Sequence, residues 1–219
     1  MKRVAVVLCG CGARDGSEIH EAVATLLALD RAGAEAVIFA PRGPQHDVVD
    51  HLAARPVPGE SRDMLVEAAR IARGRIRDLA ELRAADVDGV IFPGGFGAAK
   101  NLCSFAADGA DCTVHPEAAR VLREAHAARR PIGALCIAPV IVARVLGTAT
   151  GVRVTIGDDA GTAAAITRMG ARHEAAATTG VVVDEANRVV TTPCYMLAGR
   201  ISEVFDGAAA LVGRLLDLC

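Results

Sequence analysis

The sequence predicts an α/β fold in which a mostly parallel sheet is flanked by helices on both faces. Short apolar runs rich in β-branched residues alternate with longer amphipathic segments along the 219 residues. The runs are nearly continuous in apolar character, which is typical of strands covered on both faces. No charged or Pro/Gly-rich linker divides the chain, and we therefore expect one domain spanning residues 1–219.

Each element is predicted from a run of apolar residues and the signals at its ends. The four internal strands are Val4–Leu8, Ala36–Ala40, Val87–Phe92 and Ile132–Leu135. The helices between and after them are Ser17–Ala32, Ser61–Arg73, Pro116–Ala128, Ile137–Leu146 and Thr162–Met169. Ser17 is predicted to cap the first helix, and Gly33 follows its end. Residues 181–183 and 188–192 predict a β-hairpin, which a terminal helix over Met196–Leu218 follows.

Composition excludes several classes of partner. The formal net charge is −2, and the one basic cluster, Arg70–Arg77, is interleaved with apolar residues, so nucleic acid is not expected to bind. Tyr195 is the single tyrosine and tryptophan is absent, which argues against base-stacking platforms and membrane-interface belts. The first apolar run, Val4–Leu8, is too short for a signal peptide, and no run reaches the length of a membrane span. A cytoplasmic location is therefore expected.

The seven cysteines are irregularly spaced and do not form the framework of a disulfide-rich protein. Cys9 and Cys11 lack the second pair of ligands that a zinc site needs, and no histidine pair lies nearby. Neither a metal nor an organic cofactor is expected. Cys9, Cys11 and Cys194 are interpreted as reduced bystanders, although one of them could act as a resolving cysteine.

The most informative motif is the run from Ile132 to Pro139, in which a strand leads through Cys136 into a helix. By analogy with the nucleophile elbow of hydrolases, such a turn displays its central side chain. The first N–H groups and the dipole of the following helix favour a thiolate. Cys136 is therefore predicted to be a displayed nucleophile, although a free cysteine that only fills the core is the simpler alternative.

Two further loops are expected at the carboxyl ends of strands, where ligands of open α/β sheets bind. The glycine-rich loop after the first strand leads to Glu18 and Glu21, which lie three residues apart on one helix face. Either carboxylate can share a proton with Cys136. The loop Pro93-Gly94-Gly95 exposes backbone N–H groups, and an oxyanion hole formed by the Gly95 and Ile137 N–H groups is predicted.

These motifs resemble the ThiJ/PfpI branch of the class I glutamine amidotransferase-like, flavodoxin-like fold. Four longer segments, 17–21, 93–102, 136–139 and 191–197, are similar to the ElbB family of glyoxalase-like, enhancing-lycopene-biosynthesis proteins. In that superfamily the acid paired with the nucleophile lies twelve residues before the glycine that ends the first helix. The resemblance therefore implies that Glu21 is the acid and Gly33 the glycine, with Glu18 as the alternative and Gly94 as a pocket residue.

The chain departs from the proteases of the superfamily because Ile137 follows the nucleophile where they carry a histidine. His115 and His126 are expected at helix ends or on the surface, and His20 is expected to point away from Glu21. Amide hydrolysis without a histidine base is difficult, whereas addition of a thiol to an aldehyde requires no leaving group.

The resemblance accordingly implies a glutathione-independent glyoxalase that converts glyoxal or methylglyoxal, its small dicarbonyl substrates, to glycolate or lactate. It also favours a homodimer. Two other functions remain open. Cys136 can act as a redox-sensing or regulatory thiol linked to isoprenoid metabolism, or the protein can be a glutaminase of the amidotransferase type that requires a partner.

Overall fold

The structure, a computed structural model, describes all 219 residues. The strands are β1 (Arg3–Val7), β2 (Glu35–Ala40), β3 (Val49–Asp50), β4 (Arg55–Pro56), β5 (Arg77–Asp78), β6 (Gly89–Phe92), β7 (Ile132–Leu135), β8 (Arg153–Val154), β9 (Arg172–His173), β10 (Val182–Asp184) and β11 (Val189–Thr192). The α-helices are α1 (Ile19–Arg31), α2 (Met64–Ile71), α3 (Phe96–Lys100), α4 (Phe105–Asp108), α5 (Pro116–Ala127), α6 (Pro139–Thr150), α7 (Ala160–Arg168) and α8 (Ile201–Leu218). None of these helices is both long and apolar enough to cross a bilayer.

The central sheet has seven strands in the order β10-β11-β7-β6-β1-β2-β5. All neighbouring pairs are parallel except β10 and β11, which form an antiparallel hairpin at one edge. The predicted α/β class, the mostly parallel sheet and the C-terminal hairpin are confirmed. The strands β1, β6, β7 and β11 end side by side, and the loops that follow them form one edge of the sheet.

Successive side chains of the strands point to opposite faces, and each face has its own core. On one face, Val4 and Val6 of β1 pack in a cluster of 20 buried residues with helices α1, α2 and α8. On the other, Ala5 and Val7 belong to a cluster of 34 buried residues that includes α3, α5, α6 and α7. Helices on both faces explain the continuous apolar runs of the strands.

Several predicted boundaries are corrected by capping geometry. The first helix begins at Ile19 because Glu18, not Ser17, is its cap. The helix after the cysteine begins at Pro139, since residues 136–138 form a turn. The last helix begins at Ile201 and not at Met196, because residues 194–196 form a separate 3₁₀ turn. The predicted strand from Val87 is shorter and begins at Gly89.

Candidate active site

Cys136 directly follows β7 and has the backbone conformation of a nucleophile elbow. Its φ is +60°, in the left-handed region that residues with a side chain rarely adopt. The Cys136 N–H donates to the Thr192 carbonyl at 2.9 Å, which ties the turn to the end of β11. The side chain lines a cavity but is only 7% exposed. The prediction of a displayed thiol is therefore only partly correct. Cys136 reaches the cavity wall, but its side chain is buried there.

The ionisation of Cys136 also differs from the prediction. Burial raises the pKa of the Cys136 thiol well above its ordinary value, and the nearby Glu21 charge raises it further. A hydrogen bond from the Gly95 N–H opposes this shift without overcoming it. The resting residue is therefore a thiol and not the thiolate expected from the helix N-terminus, and it needs a base to become a nucleophile.

Glu21 is fully buried, and its Oε2 lies beside Cβ of Cys136, since both are within 2.7 Å of the position of a β-carbon at Gly94. One carboxylate oxygen, Oε2, accepts from the Gly94 N–H at 3.0 Å, and Oε1 accepts from the Tyr195 N–H at 3.1 Å. Burial raises the pKa of Glu21 from 4.5 to about 7, partly offset by the hydrogen bond from Tyr195. A carboxyl group of this pKa can take and return a proton at neutral pH.

Gly94 and Gly95 allow the nucleophile, the acid and the start of α1 to approach one another. A β-carbon added at Gly94 would lie 2.5 Å from Cβ of Cys136 and 2.7 Å from Oε2 of Glu21. At Gly95 the φ is +101°, and an added β-carbon would collide with the backbone N of Glu18. Only glycine fits either position without moving the nucleophile, the acid or the start of α1.

The Gly95 and Ile137 N–H groups, predicted as oxyanion donors, both lie at this wall of the cavity. Neither the Gly95 N–H nor the Ile137 N–H donates to a backbone carbonyl. Both residues line the cavity with Cys136. The N–H of Gly94, by contrast, is taken by Glu21.

Glu18, the alternative acid, caps helix α1. Its carboxylate accepts from the Glu21 N–H at 2.7 Å, while its own N–H donates to the Gly94 carbonyl at 2.9 Å. This cap explains the burial of Glu18 at 9% exposure. Ser17, the predicted cap, instead accepts a hydrogen bond from the Cys9 N–H.

A cavity of about 690 Å³ opens in front of Cys136. Its lining includes His20 and Tyr195, whose side chains are joined by a 2.7 Å hydrogen bond between Nδ1 and the hydroxyl group. Sequence reasoning set His20 aside and gave Tyr195 no role in the site. The position of Tyr195 just beyond β11 is the signal that was missed, because that strand ends at the same sheet edge as β7.

The remaining candidates lie outside this arrangement. Cys9 is buried, and burial raises its pKa to about 12. Cys194 is buried and directs its thiol to the Val204 carbonyl. His115 caps α5, and His126 contacts the Asn187 side chain, as expected of helix-end residues. The structure contains no group of three His, Cys, Asp or Glu residues arranged to hold a metal ion.

Comparison with known proteins places the chain in a family. The chain is 52% identical over 225 residues to the human glutamine amidotransferase-like class 1 domain-containing protein 3, mitochondrial, and the match covers 99% of this chain and 83% of the human protein. The chain belongs to the family of glutamine amidotransferase-like class 1 domain proteins. The zebrafish ES1 protein, mitochondrial, is 37% identical over 98% of this chain and 85% of its own length. No protein-family model matches the chain.

Solved structures agree with this assignment to the glutamine amidotransferase-like class 1 family. An isoprenoid biosynthesis protein with amidotransferase-like domain from Ehrlichia chaffeensis superposes with a TM-score of 0.93 at 38% identity, and the match covers 100% of this chain and 99% of that protein. A DJ-1 superfamily protein from Salmonella typhimurium has a TM-score of 0.61 at 24% identity, covering 99% and 91% of the two chains, and shares the fold. Since the human and zebrafish relatives are named as mitochondrial, they give no support to a cytoplasmic location, which stays a prediction.

Proposed function

We propose that this protein is a glutathione-independent, glyoxalase-like enzyme of the ElbB type that converts α-oxoaldehydes to 2-hydroxy acids through a hemithioacetal on Cys136. The observation that carries the proposal is the burial of Cys136 beside a Glu21 carboxyl group with a pKa of about 7. In this pair a proton can pass between sulfur and carboxylate at neutral pH. Gly95 and Ile137, whose N–H groups are the proposed oxyanion donors, line the same cavity as Cys136.

In the first step, the Cys136 sulfur attacks the aldehyde carbon while Glu21 takes the thiol proton. The proton then passes to the new oxygen, which gives a neutral hemithioacetal and restores the carboxylate. The N–H groups of Gly95 and Ile137 stabilise the negative charge that develops on oxygen before this transfer.

In the second step, Glu21 removes the proton from the hemithioacetal carbon and returns it to the adjacent carbonyl carbon through an enediol. The aldehyde carbon is thereby oxidised and its neighbour reduced, so no external oxidant is needed. The product is a thioester of a 2-hydroxy acid on Cys136. Water hydrolyses the thioester and restores the thiol, and His20, held by Tyr195 at the cavity wall, is the proposed base for that water.

The test is conversion of methylglyoxal to lactate without glutathione, comparing the wild type with Cys136→Ala, Glu21→Gln and the control Cys219→Ala. Cys219 is partly exposed at the far end of the chain, where its thiol contacts the Asp88 carbonyl. Loss of lactate formation in the first two variants only is the expected result. No lactate from the reduced wild type would overturn the proposal.

A glutaminase is the second candidate, because the relatives are named amidotransferase-like and a histidine, His20, lines the same cavity as Cys136. Release of ammonia from glutamine by the wild type, in the absence of dicarbonyl turnover, would favour it. A redox-sensing thiol has less support, since a buried cysteine with a raised pKa reacts slowly with peroxide.

We also propose that the protein is a homodimer in the cytoplasm. It acts on a small dicarbonyl and requires no cofactor, nucleic acid or membrane. Its oligomeric state is checked by light scattering of the purified protein. A mass of one chain would remove the dimer from the proposal and leave the chemistry in place.

A further inference from the structure

The cavity in front of Cys136 is much larger than methylglyoxal requires. Its volume of about 690 Å³ falls in the range of about 300–1,000 Å³ found for pockets that hold drug-sized ligands. Most of its lining residues are apolar. Phe96 lies at the wall with 55% of its surface exposed, so its ring is available for contact with a ligand. The shape and the wall therefore fit a substrate with an apolar body.

The charged side chains of the cavity wall differ in whether they have hydrogen-bond partners within the protein. Both carboxylates are occupied by backbone N–H groups at helix starts: Glu18 accepts from Glu21 at 2.7 Å, and Asp159 accepts from Thr162 at 2.7 Å. Arg14 is different, because only its backbone N and O take part in hydrogen bonds and its guanidinium has no ion pair. Arg14 is therefore the one arginine or lysine of the cavity wall, and its guanidinium has no protein partner, whereas Glu18 and Asp159 are each held by a backbone N–H group.

A neighbouring lysine is not free to bind a ligand anion in the same way. Lys100 lies 3.0 Å from an Asp47 carboxylate oxygen and is thereby neutralised. Arg14 and Phe96 also line a smaller cavity of about 120 Å³, so both residues border the two spaces. Cys136, Phe96 and Arg14 all line the larger cavity, so a ligand held at Cys136 shares its space with Arg14.

We infer that the physiological substrate is a carbonyl compound with an apolar body and a terminal anionic group, and that Arg14 binds that anion. The aldehyde lies at Cys136, the apolar body packs against Phe96, Phe105 and Met196, and the anion pairs with the guanidinium. This inference rests on the proposed function for the identity of the reacting group. The binding part of the inference, however, does not depend on turnover.

The first experiment measures binding with unreactive probes, by calorimetry on the full-length protein. 4-Acetylbenzoate carries an apolar ring and a carboxylate, and acetophenone is the same molecule without the charge. We expect the carboxylate to bind about tenfold more tightly to the wild type, as for one hydrogen-bonded charged group. Arg14→Gln should remove the difference and Arg14→Lys should keep part of it. The control Arg75→Gln, at an exposed arginine outside the cavity, should retain it.

The inference is wrong if the two probes bind the wild type equally, or if the preference persists in Arg14→Gln. The second experiment compares kcat/KM for methylglyoxal, phenylglyoxal and 4-carboxyphenylglyoxal. If methylglyoxal is converted and the anionic substrate is not preferred, the proposed function stands and the inference fails. If none is converted while the carboxylate probe binds through Arg14, the proposed function fails and the anion site stands.

Discussion

At the scale of the residue, the site depends on one carboxyl group with two backbone hydrogen bonds. Glu21 is held by N–H groups from residues 94 and 195, which are distant from it in sequence. Its position in sequence identifies it as a candidate acid, because it follows a strand and begins a helix. Its pKa of about 7 could not be predicted, because burial by three separate segments causes the shift.

The pH dependence of turnover follows from this pKa. The active form of the Cys136–Glu21 pair has lost one proton, so kcat/KM for methylglyoxal should rise about tenfold per pH unit below 7 and level off above it. Initial rates between pH 5 and 8.5 check this, corrected for the rate without enzyme. A flat profile between pH 5.5 and 7 would contradict the assignment of Glu21.

Glu21 should also make folding pH-dependent. Because its folded-state pKa of about 7 lies above 4.5, its contribution to stability is fully present below pH 4.5 and is lost as the pH rises through 7. Between pH 5 and 8, the free energy of unfolding of the wild type should therefore fall by about 2.5 kcal/mol relative to Glu21→Gln. Urea unfolding at both pH values measures it. The exposed control Glu185→Gln should show almost no such difference.

At the scale of the element, two acids three residues apart on one helix have different tasks. Glu18 caps α1, and Glu18→Ala should cost about 1 kcal/mol of stability while turnover stays within a few fold of the wild type. Glu21→Gln should instead lower kcat by at least about a hundredfold. Thermal unfolding and initial rates on both variants check this. The reverse pattern would make Glu18 the acid.

The loop between β6 and α3 provides a second test, through Gly94→Ala. The added methyl group would enter the space of Cβ of Cys136 and Oε2 of Glu21, so we expect a loss of about 1–3 kcal/mol in stability and of all detectable turnover. Gly213→Ala in α8 is the matched control, since nothing lies within 4 Å of its added β-carbon. It should gain up to about 1 kcal/mol and keep full activity. Equal behaviour of the two variants would refute the packing argument.

Most of the helices and strands could be predicted, because the periodicity of apolar residues and the residues at the ends of each element define them. β7 was predicted with the bounds found, and α5 was predicted with one residue too many. The errors concentrate where local capping decides a boundary, as at Glu18, or where a turn delays a helix, as between Cys136 and Pro139. The contact between His20 and Tyr195 could not be predicted, because it joins residues 175 apart.

At the scale of the whole molecule, stability depends on two cores separated by the sheet. Leu211 of α8 is fully buried in the smaller core, and Leu211→Ala should cost about 2–5 kcal/mol. Leu52 is 98% exposed, and Leu52→Ala should change stability by less than about 0.5 kcal/mol. Denaturant midpoints of both variants check the difference. A small effect at Leu211 would mean that α8 contributes little to the fold.

The hydrogen bond from the Tyr195 N–H to Glu21 has a consequence for biosynthesis. During translation, the nucleophile and its acid leave the ribosome well before β11 and Tyr195 are made. A nascent chain ending before residue 195 therefore contains both reacting groups without one of the donors that hold the carboxylate. Turnover at Cys136 is therefore expected to appear only after the edge strand β11 has joined β7 and Tyr195 has reached the carboxylate.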